Sequence, residues 1–228
     1  MDTKVWFPKV VVLLLPVCVA FSNKAAAQRK DFRSWNDLSV EAALTDDLDI
    51  QAEVGLRLDK NASRWDENLY ELELQYKGLD DYDISTGYRF SIGNEDHYAQ
   101  YLHRWTLEGE LEKDIDDWDL ELELRTRLQT EFIPSEFDED RIEHYLRDRL
   151  TISWKTDDFP VNPYLGFEHF VPLRKNRLVI TDKNRYLAGA DIDLDAGFEL
   201  DISYRIQRHF DDIREIDYIL SVSLSYEL

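Results

Sequence analysis

Five histidines, together with a dense set of carboxylates and guanidinium groups, are the residues of this chain able to do chemistry. A hydrolase acting on lipid needs a nucleophile, a base and an orienting group within hydrogen-bond reach of one another. His103 is the candidate base, because it shares a strand face with Tyr101, Trp105 and Leu107, an odd place for a polar ring. A Ser-His dyad needs a serine at the same height on a neighbouring strand; Ser85 and Ser91 lie in the adjoining hairpin, and the sequence sets neither their face nor their height. His97, His144, His169 and His209 fall near loops or strand ends and read as rim residues. The acidic runs Glu136-Phe137-Asp138-Glu139-Asp140 and Asp211-Asp212 lack the glycine and ligand spacing of an EF-hand loop and read as solvated charge. No G-x-S-x-G, H-E-x-x-H, P-loop or dinucleotide fingerprint occurs. No catalytic, cofactor-binding or metal-binding residue is assigned, and no cofactor is expected.

A second set of residues matters through charge. Glu53, Arg57, Glu71, Glu73, Arg89, Arg104, Glu108, Glu123, Arg125, Arg127, Arg147, Arg149, Glu199, Asp201 and Arg205 each alternate with apolar neighbours and so share one face of an extended chain. If the apolar face meets lipid, these side chains point into a lumen, where both signs must pair because an unpaired buried charge is very costly. The expected interior is a salt-bridged plug of side chains; a selective polar channel lined by the same residues is the other arrangement they allow.

The elements that must position them are strands. Leu48, Ile50, Ala52, Val54, Leu56 and Leu58 interleave with Asp49, Gln51, Glu53, Gly55 and Arg57, and the same period of two recurs nearly everywhere after residue 35. The last segment runs in phase from Ile216 to Leu228. Many segments carry about 9 to 11 alternating residues, the span of a tilted strand across a bilayer. Short acidic turns begin at Asp46, Asp80, Asp116, Asp157 and Asp193, spaced 34, 36, 41 and 36 positions apart, and longer polar loops lie between them. Tyr76, Tyr82, Trp118, Trp154, Tyr164 and Tyr226 fall beside the turns or the C-terminus, as an interfacial girdle would.

These features predict an all-β fold: one closed antiparallel barrel of transmembrane type over residues 28–228, with short periplasmic turns and longer extracellular loops. Eleven alternating segments can be counted, and since bacterial single-chain barrels usually have even strand numbers the expectation is about twelve, within ten to twelve. Residues 1–27 read as a cleaved Sec signal peptide: two lysines precede an apolar run from Val10 to Phe21, which ends near Ala25-Ala26-Ala27. Its removal takes away three lysines, Asp2 and the only cysteine, Cys18, so the formal charge moves from −21 to −23. Nucleic acid is excluded as a partner by that charge, and disulfides by the cysteine count.

Short pieces of sequence carry a resemblance. Tyr88-Arg89-Phe90, His103-Arg104-Trp105, Leu124-Arg125-Thr126-Arg127, Tyr145-Leu146-Arg147-Asp148-Arg149, Pro163-Tyr164-Leu165-Gly166-Phe167-Glu168 and Asn184-Arg185-Tyr186-Leu187-Ala188-Gly189 resemble, in this order, the family of domains of unknown function numbered 2490. The resemblance implies an exported bacterial barrel of outer-membrane type, and no reaction or ligand. The expected partners are outer-membrane lipids and, during insertion, the barrel-assembly machinery; no oligomeric state is assigned. The expected role is non-enzymatic, as a structural, adhesive or small-solute passage element in the outer membrane. The alternative is an outer-membrane lipid hydrolase or acyl transferase with His103 as its base.

Overall fold

Period-two alternation over long stretches, broken by turn residues, produces strands and little else. A computed structural model describes residues 29–79, 82–95, 98–135, 139–155, 160–173, 181–210 and 215–228, with Asp195 described by its backbone. The segment read as a signal peptide, His97, Glu136 to Asp138 and the pairs Asp80-Asp81, Asp157-Asp158 and Asp211-Asp212 lie outside the described residues.

Eleven strands run in chain order: β1 (Arg29–Thr45), β2 (Leu48–Asp59), β3 (Arg64–Leu79), β4 (Tyr82–Glu95), β5 (Tyr98–Ile115), β6 (Leu120–Ile133), β7 (Arg141–Trp154), β8 (Val161–Pro172), β9 (Lys183–Leu194), β10 (Phe198–His209) and β11 (Glu215–Glu227). Each pairs with its chain neighbours, and β1 pairs with β11 to close the barrel. The count lies inside the expected range and matches the eleven alternating segments. Antiparallel pairing holds for every seam but one: β1 and β11 run parallel, in register from Arg29 opposite Glu215 to Glu41 opposite Glu227. An odd number of up-and-down strands can close only if one seam joins two strands of the same direction, so the parallel join takes the place of a twelfth strand. Several strands are longer than the alternation suggests; β3 begins at Arg64 and β4 continues to Glu95. Where both faces of a strand are polar the two-residue signal vanishes, while the backbone ladder continues.

The inside and outside of this barrel are inverted relative to a water-soluble protein. Among the described residues seventeen polar or charged side chains are buried against five apolar ones, so the interior is held by polar contacts rather than by a hydrophobic core. Leu38, Val54, Leu72, Leu107, Leu124, Ile152, Leu165 and Ile202 are exposed on the outer face. Toward the loop end that face carries aromatic contacts: Tyr88 with Trp105 at 4.6 Å, Phe90 with Tyr101 at 6.1 Å, and Phe167 with Tyr186 at 5.4 Å between ring centroids. Of the aromatics read as a turn-end girdle, Tyr164 departs, because its parity on β8 turns it inward to donate to Asp201 Oδ2 at 2.5 Å.

That inward tyrosine explains a glycine. Gly189 is opposite Tyr164 across β8 and β9, and a Cβ there would stand 2.7 Å from the tyrosine ring and 2.8 Å from the carbonyl oxygen of Ile202. The ring lies over the bare backbone and so reaches β10. The backbone oxygen cannot retreat, so Gly189→Ala is expected to destabilise the folded barrel by about 1–3 kcal/mol, as overpacking does. A urea midpoint equal to that of the wild type in detergent micelles would contradict this.

Candidate functional site

The site is the lumen, and parity builds it. On β6 the outward residues Leu120, Leu122 and Leu124 leave Glu121, Glu123, Arg125 and Arg127 facing in; on β8 the outward Leu165 and Phe167 leave Glu168 facing in. The arginine-rich stretches of β6 and β7 meet rung for rung, Arg125 opposite Arg149 and Arg127 opposite Arg147. Like charges directly opposite are destabilising in an antiparallel pair, so this arrangement persists only because neighbouring strands supply carboxylates.

Glu168 is the hub of that supply. It is 2% exposed, and its carboxylate meets Arg147 at 2.7 Å, Arg185 at 2.8 Å and Arg125 at 3.9 Å. One carboxylate on β8 thereby joins β6, β7, β8 and β9. Glu108 from β5 serves Arg125 at 3.6 Å and is in short contact with Arg127. Glu123 takes Arg149 at 2.6 Å, and Glu131 takes Arg104 at 2.6 Å. Arg89 contacts Glu71 closely and Glu53 at 3.7 Å; Arg57 meets Asp37 at 2.5 Å and Arg205 meets Asp201 at 3.9 Å. Glu73 and Glu199 line cavities nearer the turn end.

Neutral amides join the pairs into a chain. Gln129 accepts from Arg147 at 2.8 Å and donates to Glu131 at 2.8 Å. Gln207 accepts from Arg185 at 2.7 Å and donates to Asp217 at 3.0 Å, and Asp217 lies 3.3 Å from Arg33 across the parallel seam. Hydrogen bonds and ion pairs thus run from Arg104 on β5 around the lumen to Arg33 on β1. Two aromatic faces supplement the carboxylates: Trp35 lies 4.9 Å from the Arg57 and Arg185 guanidinium carbons, and Phe170 lies 4.6 Å from that of Arg147. A ring face attracts a desolvated cation through its quadrupole.

Trp35, Asp37, Gln129, Glu131, Glu168, Phe170, Arg185, Gln207 and Asp217 were absent from the charged set read off the sequence. For Glu168 and Arg185 the signal was there, since parity with Leu165 and Phe167 on one strand and Tyr186 on the next sends both inward. For Trp35 and Phe170 it was not: an aromatic residue has no assigned face until the barrel closes.

The candidate lipid-cleaving constellation does not assemble. His103 is on the outer face, its Nδ1 2.7 Å from the Tyr88 hydroxyl, between Phe90 and Phe132 at ring-centroid distances of 5.3 and 6.0 Å. Ser85 and Ser91 are buried and have the opposite parity to outward Tyr88 and Phe90 on β4, so the sheet separates them from the imidazole. Two further histidines pair with neutral partners, His144 with Thr130 at 2.9 Å and His169 with Asn184 at 2.7 Å. His209 faces inward, 3.0 Å from Asp217. Among the described residues no group of His, Cys, Asp and Glu is arranged to hold a metal ion.

Three cavities of about 500 to 550 Å³ divide the lumen, one toward the loop end and two toward the turn end. Arg89, Arg125, Arg127, Arg149 and Arg205 border cavities on both sides, as do Glu53, Asp201 and Leu187, so the partition between them is a layer rich in arginines. The family described as "Protein of unknown function (DUF2490)" matches residues 32–216, from the first strand into the last. The chain belongs to that family. The DUF2490 barrel is similar in fold to the beta domain of the Bordetella autotransporter Brka, with a TM-score of 0.51 and 14% identity over 77% of this chain and 82% of that one. The translocator domain of the autotransporter NalP from Neisseria meningitidis aligns with a TM-score of 0.35 and 14% identity, over 73% of this chain and 70% of that one. No curated protein matches the sequence. The fold of this DUF2490 member is therefore similar to that of an autotransporter beta domain.

Proposed function

We propose that this DUF2490 protein is exported through a Sec signal peptide and spans the bacterial outer membrane as a non-enzymatic barrel with its lumen plugged by ion pairs. Lipids cover its apolar outer face, the barrel-assembly machinery inserts it, and the short turns face the periplasm. Small solutes enter the cavities from either end without a continuous open path. The observation that carries this reading is the arginine-rich layer between the cavities, held by Glu108 through Arg125 and Arg127 and linked through Arg125 to the buried Glu168, which also holds Arg147 and Arg185 on its loop side.

Fractionated cells are expected to yield the protein in the outer membrane, with a gel mobility that changes on boiling. In planar bilayers the wild type is expected to give no steady unit conductance, and Arg125→Gln to introduce intermittent steps by loosening the layer. Large steady openings of the wild type would refute the plug. Recovery in the soluble periplasm would refute the placement.

A further inference from the structure

The charge of the lumen changes sign along its axis. The two cavities toward the turn end are acidic, with six carboxylates against three basic side chains in one and seven against four in the other. The loop-side cavity, about 550 Å³, is lined by ten arginines and Lys183 against eight carboxylates. The whole chain has 27 basic and 48 acidic residues, so this one chamber reverses the sign of the protein that builds it.

Inside that chamber the cations outnumber the anions that hold them. Four of its arginines, Arg125, Arg127, Arg147 and Arg185, share two carboxylates, Glu168 on the chamber's own lining and Glu108 from the turn-side cavity. Trp35 and Phe170 offer ring faces to these guanidinium groups, a weaker compensation than a carboxylate would give. Two guanidinium donors on the chamber's lining are buried without a hydrogen bond, Arg147 Nε and Arg33 Nε, and of these Arg33 Nε still lies 3.3 Å from the Asp217 carboxylate. A buried donor left without an acceptor is costly, more so on a charged group. A guanidinium fork matches the paired oxygens of phosphate or carboxylate, and a chamber of this volume falls within the range of small-molecule sites, about 300–1,000 Å³.

We propose that the loop-side cavity binds a small soluble anion bearing phosphate or carboxylate groups, held by Arg147 and Arg185 with Arg57 and Arg205 beside them. The anion completes the charge count that Glu168 leaves short. Binding does not depend on the plug reading, since an anion can occupy the chamber whether or not the lumen conducts.

Isothermal titration of the purified barrel in non-ionic detergent at low ionic strength, with inorganic phosphate as the probe, tests this. Saturable binding of one phosphate per barrel is expected, weakened at least tenfold by Arg147→Gln and unchanged by Glu121→Gln at the turn end. Glu168→Gln removes the resident competitor and is expected to tighten binding. The boiling-dependent gel shift reports whether each variant is folded; should Arg147→Gln fail it, Arg205→Gln, whose only ion pair among the described residues is the 3.9 Å contact with Asp201, takes its place with the same expected loss. No saturable heat from the wild type, or equal affinity in the folded arginine variant, overturns the proposal. Because the titration needs no membrane and no current, its failure is distinguishable from failure of the plug.

Discussion

Glu168→Ala is expected to lower the stability of the folded barrel by about 3–5 kcal/mol, the cost of leaving buried charges without their counter-ion. The substitution removes the 2.7 and 2.8 Å partners of Arg147 and Arg185 together, along with the 3.9 Å contact to Arg125. Nothing nearby can take over, because Glu108 and Glu123 already hold arginines of their own. An exposed lysine provides the contrast. Lys77 meets Glu41 at 3.1 Å and Asp49 at 2.7 Å, but the lysine side chain is 43% exposed, and such surface pairs contribute about 0–1 kcal/mol each. Urea unfolding in lipid vesicles, followed by tryptophan fluorescence, should therefore show a large midpoint shift for Glu168→Ala and a small one for Lys77→Ala. Comparable small shifts in both would mean that the hub does not hold the lumen together.

Leu72→Arg should cost about 2–4 kcal/mol in vesicles, the penalty for arginine facing lipid at the bilayer midplane. Leu72 lies in the middle of β3 on the outer face, opposite Ala52 and Tyr88, and is 50% exposed. The exposure makes the test decisive between two solvents. Were that face in water, replacing a half-exposed leucine away from any special contact would change stability by no more than about 0.5 kcal/mol. A wild-type midpoint for Leu72→Arg in vesicles would thus remove the lipid from the outer face and with it the transmembrane reading.

Much of this architecture was legible because its signal is local. The segment from Leu48 to Leu58 assigns every side chain to one of two faces without reference to any other strand, and the same holds for Leu120 to Leu128. Local parity also placed Arg125, Arg127, Arg147 and Arg149 together on the inner face. It placed the His103 ring on the outer face beside Tyr101 and Trp105, and left open the face of Ser85 and Ser91, which lie on the other side of the sheet. Strand ends were the least legible, since β1 and β3 extend where both faces are polar and alternation has nothing to show.

What the sequence by itself determined was the strand composition, the division of each strand into an apolar and a charged face, and the alternation of short turns with long loops. Those properties follow from the two-residue repeat of an extended backbone and need only neighbours in the chain. The tertiary structure alone decided the parallel seam of β1 with β11, the assignment of three arginines to one carboxylate, and the reversal of charge between the two ends of the lumen. Each depends on register and closure: which rung of one strand faces which rung of the next, and which strands meet when the sheet curls shut. Glu168 looks in the chain like any other inward acid; only the packing of four strands around it makes it the centre.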